Sequence, residues 1–281
     1  IKNINILYLF VSILFLLMAY FLKKSKNLPN IQNPSIVAST PKANKLLIKL
    51  TISIITITSI SLINKVQQSD ILSTLFLFIL LFLIFKIISK PLFIKNKKLK
   101  EWGAMKYPQL ILGMLAIFCY VGVEVTIQSN LGALLKTPEF GSISESNNSH
   151  FIAMYWGSLM IGRWLGSITI FKPSKLLKNI LFILIPYIAF LIVLFFINLR
   201  GSDIESLKLF SICIIIQILG FLLGKEKPIK TLFIFSILAI IAMIYGLLNS
   251  GIVSIYAFLS GGLFCSIMWP CIFSLSIARA M

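Results

Sequence analysis

The chain has 281 residues, 58% of them apolar, with a mean hydropathy of +0.99 and a net charge of +18. A soluble fold of this size could not hide that much apolar surface, so a soluble globular protein is excluded. The positive charge does not indicate nucleic acid as a partner. The lysines lie between apolar runs, whereas a phosphate-binding footprint needs them gathered on one face of a domain.

Nine apolar runs are read as membrane-crossing helices, at 4–22, 47–64, 71–89, 109–134, 150–171, 177–198, 207–224, 231–248 and 251–278. The run ILFILIPYIAFLIVLFFIN, from Ile180 to Asn198, carries no charge. It has the length, about 20 residues, that a helix needs to cross a bilayer core. In lipid every backbone N–H and C=O must be paired internally, so such runs are helices rather than loops or open strands. The second run is the weakest, being short and carrying Thr51, Ser53, Thr56, Thr58, Ser59 and Ser61. Hydroxyls in a helix can bond back to carbonyls of the preceding turn, so it is kept. The longest connections, 23–45 and 135–149, are polar or proline-rich and read as linkers. No soluble domain is present between the runs.

Charge assigns the sides. One set of loops carries Lys23, Lys24, Lys26, Lys42 and Lys45, with Lys49 just beyond. It continues with Lys90, Lys95, Lys97, Lys98, Lys100 and Lys106 against Glu101, then Lys172, Lys175 and Lys178, then Lys225, Lys227 and Lys230 with Glu226. The alternate loops hold Asp70, Glu139, Glu145, Asp203 and Glu205, and few basic residues. The basic side is expected to face the cytoplasm, with Ile1 outside and Met281 inside. The chain begins at isoleucine and stops just after an apolar run, and is expected to be a piece of a longer protein.

Little in the chain suggests catalysis. Cys119, Cys213, Cys265 and Cys271 fall inside apolar runs without CxxC pairs, so neither a zinc site nor a disulfide framework is expected. One histidine, His150, cannot build a multi-histidine metal centre. No P-loop, HExxH, GxSxG or dinucleotide-binding loop occurs. The chain is therefore expected not to be an enzyme and to need no cofactor or metal.

The charges inside the runs are few. Glu124 is the only acid well inside one. A carboxylate there must face a cavity, find a partner or take up a proton. Tyr120, Glu124 and Gln128 share a helical face, with Asn130 about half a turn further on. That stripe suits hydrogen bonding to a polyol, and equally a polar seam between helices. In YWGSLMIGRWLGS (155–167), Ser158, Gly162 and Gly166 recur every four residues, a spacing that permits close helix approach. Tyr155 and Trp156 either line a pathway or act as interfacial anchors. Arg163 is expected to snorkel or to pair with a carboxylate or helix-end carbonyls, in a structural or gating role. In the last run Pro270 removes a backbone hydrogen bond, while Gly261, Gly262, Ser266 and Ser274 keep the helix thin. Either a moving transporter helix or a packing kink would use that composition.

Three segments, FCYVGVEVTIQSNL (118–131), YWGSLMIGRWLGS (155–167) and GGLFCSIMWPCIFSLSIA (261–278), together resemble the fucose–galactose–glucose proton symporters of the major facilitator superfamily. The resemblance implies an all-α polytopic fold built from two helical bundles around a central cavity, with alternating access. Residues 1–22 would be the last helix of the N-terminal bundle. Residues 23–106 would be a cytoplasmic linker with an extra transmembrane hairpin. Residues 107–281 would be a partial C-terminal bundle, with a second extra hairpin at about 177–224.

The implied function is proton-coupled hexose or deoxyhexose transport across a bacterial inner membrane. Sugar, protons and the lipid bilayer are its partners. Tyr120, Glu124, Gln128, Asn130 and Tyr155 are the substrate-binding candidates, and Gly162, Arg163, Gly166 and Pro270 the gating or structural ones. The acids tied to proton coupling in that family lie on the N-terminal bundle, so Glu124 is not given that role. The missing bundle would be needed for transport. A carrier of another small solute and a non-transporting truncated membrane protein are the alternatives.

Overall fold

The computed structural model describes residues 2–24, 40–66, 70–93, 96–171, 173–225 and 227–278. Most of the expected 23–45 linker lies outside them, as do Lys95, Lys172 and Glu226 of the basic loops. In chain order the helices are α1 (Lys2–Lys24), α2 (Pro41–Val66), α3 (Asp70–Ser89), α4 (Pro108–Leu134), α5 (Glu145–Ser167), α6 (Lys175–Leu199), the single turn α7 (Glu205–Lys208), α8 (Ser211–Gly224), α9 (Pro228–Leu248) and α10 (Gly251–Ile277). No strand occurs among the described residues. A helix lies on each of the nine apolar runs.

Among the described residues, five stretches are long and apolar enough to cross a membrane: α4, α6, α7–α8, α9 and α10. The chain is thus an all-α, multi-pass membrane protein. α1, α2, α3 and α5 are helical over the runs expected to span, and their crossing belongs to the topology proposed below. In α5 the polar start ESNNSH and Arg163 dilute the apolar stretch.

The chain divides into two units, Ile1–Thr40 and Pro41–Met281. The described part of the first is α1. Ser12 Oγ donates back to the Tyr8 carbonyl at 2.8 Å, and Lys24 Nζ lies 5.9 Å from the centre of the Tyr20 ring.

The second unit explains its own helix boundaries. α4 and α9 open on Pro108 and Pro228, each preceded by a residue in extended conformation. Proline suits a first helical turn, where its missing N–H has no intrahelical role, and it pushes the preceding residue out of the helical region. α2 also begins with a proline, Pro41, ahead of its expected start at 47. α5 starts at Glu145 rather than 150, after an extended Ser144. The expected loop around 90–106 is instead two stretches of tight helical turn, Lys90–Phe93 and Asn96–Lys106, the latter broken at Gly103 where φ is 53°. The hydroxyls of α2 bond back as expected. Ser53, Thr56 and Ser59 each donate to the carbonyl four residues earlier at 2.8 Å.

α10 is the centre of this unit. It packs against α9, α5 and α4. Of its apolar window 78% is buried, against 17% for α9. Small residues make this enclosure possible. A Cβ on Gly262 would lie 2.9 Å from the Tyr155 carbonyl oxygen and 3.1 Å from Ser158 Cβ. A Cβ on Gly162 would lie 1.6 Å from Ser266 Oγ, 2.7 Å from Ser266 Cβ and 2.5 Å from Gln217 Nε2. The backbones of α5 and α10 therefore meet closely at these two positions. Gly166 does not continue the seam, because nothing lies within 4 Å of a Cβ placed there. α10 continues through Pro270 to Ile277.

Gln217 of α8 ties into this seam. Fully buried, it donates from Nε2 to the Leu263 carbonyl at 3.1 Å. The hairpin of α2 and α3 forms a separate cluster, in which Ile84 and Ile88 pack with Ile111 and Leu115 of α4.

Candidate functional site

α4, α5 and α10 form an open cleft of about 580 Å³. Tyr120 and Glu124 line it from α4, Arg163, Gly166 and Ser167 from α5, and Trp269 and Pro270 from α10. Its volume falls within the range of about 300–1,000 Å³ typical of small-molecule sites.

The polar groups of the cleft converge. Arg163 Nη2 donates to Glu124 Oε1 at 3.5 Å, a distance that leaves the pair loose. The Glu124 side chain is 15% exposed and that of Arg163 54%. The carboxylate is thus largely withdrawn from solvent while its partner reaches into the open cleft. A charge in such a place is stabilised by pairing, and a single long contact leaves lone pairs on the carboxylate for another donor. Beside the pair lies the hydroxyl of Tyr120, a residue 4% exposed. Among the described residues it makes no hydrogen bond of acceptable geometry. Buried hydroxyls are normally satisfied, so this one calls for a partner in the cleft. Trp269 supplies a flat apolar wall, held by parallel stacking on Phe273 with ring centres 5.5 Å apart.

The other candidates from the sequence fall elsewhere. Tyr155 does not line the cleft. It is fully buried behind it, and its hydroxyl donates to the Glu124 main-chain oxygen at 2.9 Å. Close packing of α5 against α10 encloses the ring, so Tyr155 positions α4. Gln128 continues the Glu124 face and is partly buried, but is not a cleft-lining residue. Asn130 lines a different groove of about 950 Å³ with Cys119, Gly122 and Thr126 of α4 and Met243 of α9. Its Nδ2 donates to the Thr126 carbonyl at 2.8 Å. Gly162 belongs to the packed seam, and Gly166 to the cleft wall.

Two features were absent from the sequence reading. One is Trp269, read only as part of the proline-containing run. The other is the identity of the partner of Arg163. Glu124 and Arg163 are both charges inside apolar runs, and mutual pairing is the cheapest way to hold them there. Among the described residues no group of histidines, cysteines and acids could hold a metal ion.

Partial relatives are found among known proteins. The chain is 43% identical over 68 residues to a glucose/galactose transporter of Brucella abortus biovar 1 (strain 9-941), a stretch covering 24% of this chain and 16% of that protein. It is 34% identical over 83 residues to a putative glucose/galactose transporter of Helicobacter pylori (strain ATCC 700392 / 26695), covering 29% of this chain and 20% of that protein. The matched stretches are thus a fifth or less of these relatives' length. No family model matches the chain, and no solved structure does.

Proposed function

We propose that this chain is the central and C-terminal part of a hexose carrier, and that the cleft between α4, α5 and α10 is its half of the sugar site. The observation that carries the reading is the convergence of Glu124, Arg163 and the Tyr120 hydroxyl in one cleft with the Trp269 ring. A hexose presents hydroxyls that both donate and accept, and a ring face of C–H groups. Glu124 accepts from hydroxyls, Arg163 donates to them, Tyr120 does either, and the indole covers the apolar face. The names of the partial relatives support a hexose as the solute.

The finer features of the proposal rest on the three motifs that resemble the symporter family. Proton influx drives the sugar inward across a bacterial inner membrane, by alternating access of two bundles. α1 is the last helix of the first bundle, α2–α3 and α6–α8 are inserted hairpins, and all nine apolar runs span, with the lysine-rich loops in the cytoplasm. The groups that couple protons belong to the bundle outside this chain.

Trp269→Ala in the complete protein is expected to raise the half-saturating hexose concentration about tenfold, while Trp269→Phe retains most of the affinity. Initial rates of labelled galactose uptake measure both. Equal affinity in wild type and Trp269→Ala would remove the indole from the site.

A further inference from the structure

At the end of the α2–α3 hairpin, five lysines gather around an apolar hollow. Lys42, Lys45 and Lys49 come from the start of α2, Lys86 from the end of α3, and Lys90 from the turn that follows. Leu46, Leu83, Ile87 and Phe93 provide apolar lining, and the hollow holds about 920 Å³. Lys42 pairs with Glu101 at 2.7 Å. The other four make no ion pair among the described residues. A second observation points to a ligand. Trp102 also lines the hollow, is 5% exposed, and its Nε1–H has no hydrogen-bond partner among the described residues. A buried donor without an acceptor is costly and uncommon in a native fold.

We propose that this hollow binds an anionic phospholipid. Four ammonium groups with no carboxylate partner among the described residues suit a phosphate headgroup, since each basic side chain near a membrane surface favours anionic lipid by about 1 kcal/mol. Lysine stems lie along apolar surface while their heads stay at the interface, which sets the headgroup level above the lining. Leu83, Ile87 and Phe93 take the first part of an acyl chain, and the Trp102 N–H donates to a phosphate or ester oxygen. A soluble anion would leave the apolar lining unused. The hollow shares no lining residue with the cleft of Tyr120 and Glu124 and does not depend on the hexose reading.

The test is native mass spectrometry of the complete protein, loaded with equimolar phosphatidylglycerol and phosphatidylcholine. Phosphatidylglycerol is expected to be retained at least about tenfold over phosphatidylcholine. A variant carrying Lys45→Gln, Lys49→Gln, Lys86→Gln and Lys90→Gln is expected to lose that preference. Trp102→Phe, which removes the N–H and keeps an aromatic ring, should weaken it several-fold, and decides the matter if the four-lysine variant does not fold. Excess inorganic phosphate should leave the lipid bound. Equal retention of the two lipids, an unchanged preference in a folded variant, or displacement by phosphate would each overturn the proposal.

Discussion

Gly162→Leu is expected to eliminate folded protein from the membrane. Even the first carbon of a new side chain would lie 2.7 Å from Ser266 Cβ, an atom that no rotation of Ser266 moves away. Gln217 closes the remaining space, with Nε2 at 2.5 Å from the same point and its amide already committed to the Leu263 carbonyl. Leucine adds three further carbons to a site that has no room for one. Overpacking typically costs about 1–3 kcal/mol, so Gly162→Ala should be destabilising and measurable, with leucine well beyond it. Gly166→Ala is the internal control. Nothing lies within 4 Å of its Cβ, and stability should change by less than about 0.5 kcal/mol. Yield of monodisperse protein and thermal unfolding in detergent measure all three. Normal yield for Gly162→Leu would mean that α5 and α10 do not meet here.

Glu124→Ala in the complete protein is expected to lower hexose kcat/KM by about 10- to 100-fold, with normal amounts in the membrane. A hydrogen bond to a charged group contributes about 1.5–3 kcal/mol, which converts to that range. Stability should suffer less, because the partner Arg163 is more than half exposed and keeps its hydration when the carboxylate goes. Tyr155 should also keep its place, since it bonds the main-chain oxygen of residue 124 rather than the carboxylate. The separation between transport and abundance is what distinguishes a binding group from a packing seam. Unchanged uptake kinetics would assign Glu124 to the seam. Loss of both uptake and protein would do so as well.

The helices were legible in the sequence because the bilayer leaves long apolar runs no other structure. The back-bonded hydroxyls of α2 were equally legible, since that chemistry is local. Lys42, Lys45, Lys49 and Lys90 of the basic loops are assigned to one side by charge alone, and the structure gathers them, with Lys86 of α3, around one hollow. Contacts between distant segments were not legible. Glu124 and Arg163 are 39 residues apart, and no periodicity joins them. Tyr155 and Trp156 are adjacent and were read alike, yet one is fully buried and the other half exposed. Only the face that α5 turns to α10 separates them. Trp269 carries no signal of its own in the sequence, because an indole in an apolar run is equally a packing residue. Asn130 follows Glu124 by six residues, which a 3.6-residue turn carries to another face, and the structure puts it in another groove.

The most direct test of the account is counterflow by the complete protein in proteoliposomes preloaded with unlabelled galactose. Labelled galactose should accumulate transiently inside, compete with glucose, and do both far more weakly with Glu124→Ala. No accumulation above protein-free vesicles, from protein shown to be folded, would contradict the assignment of the cleft to a hexose.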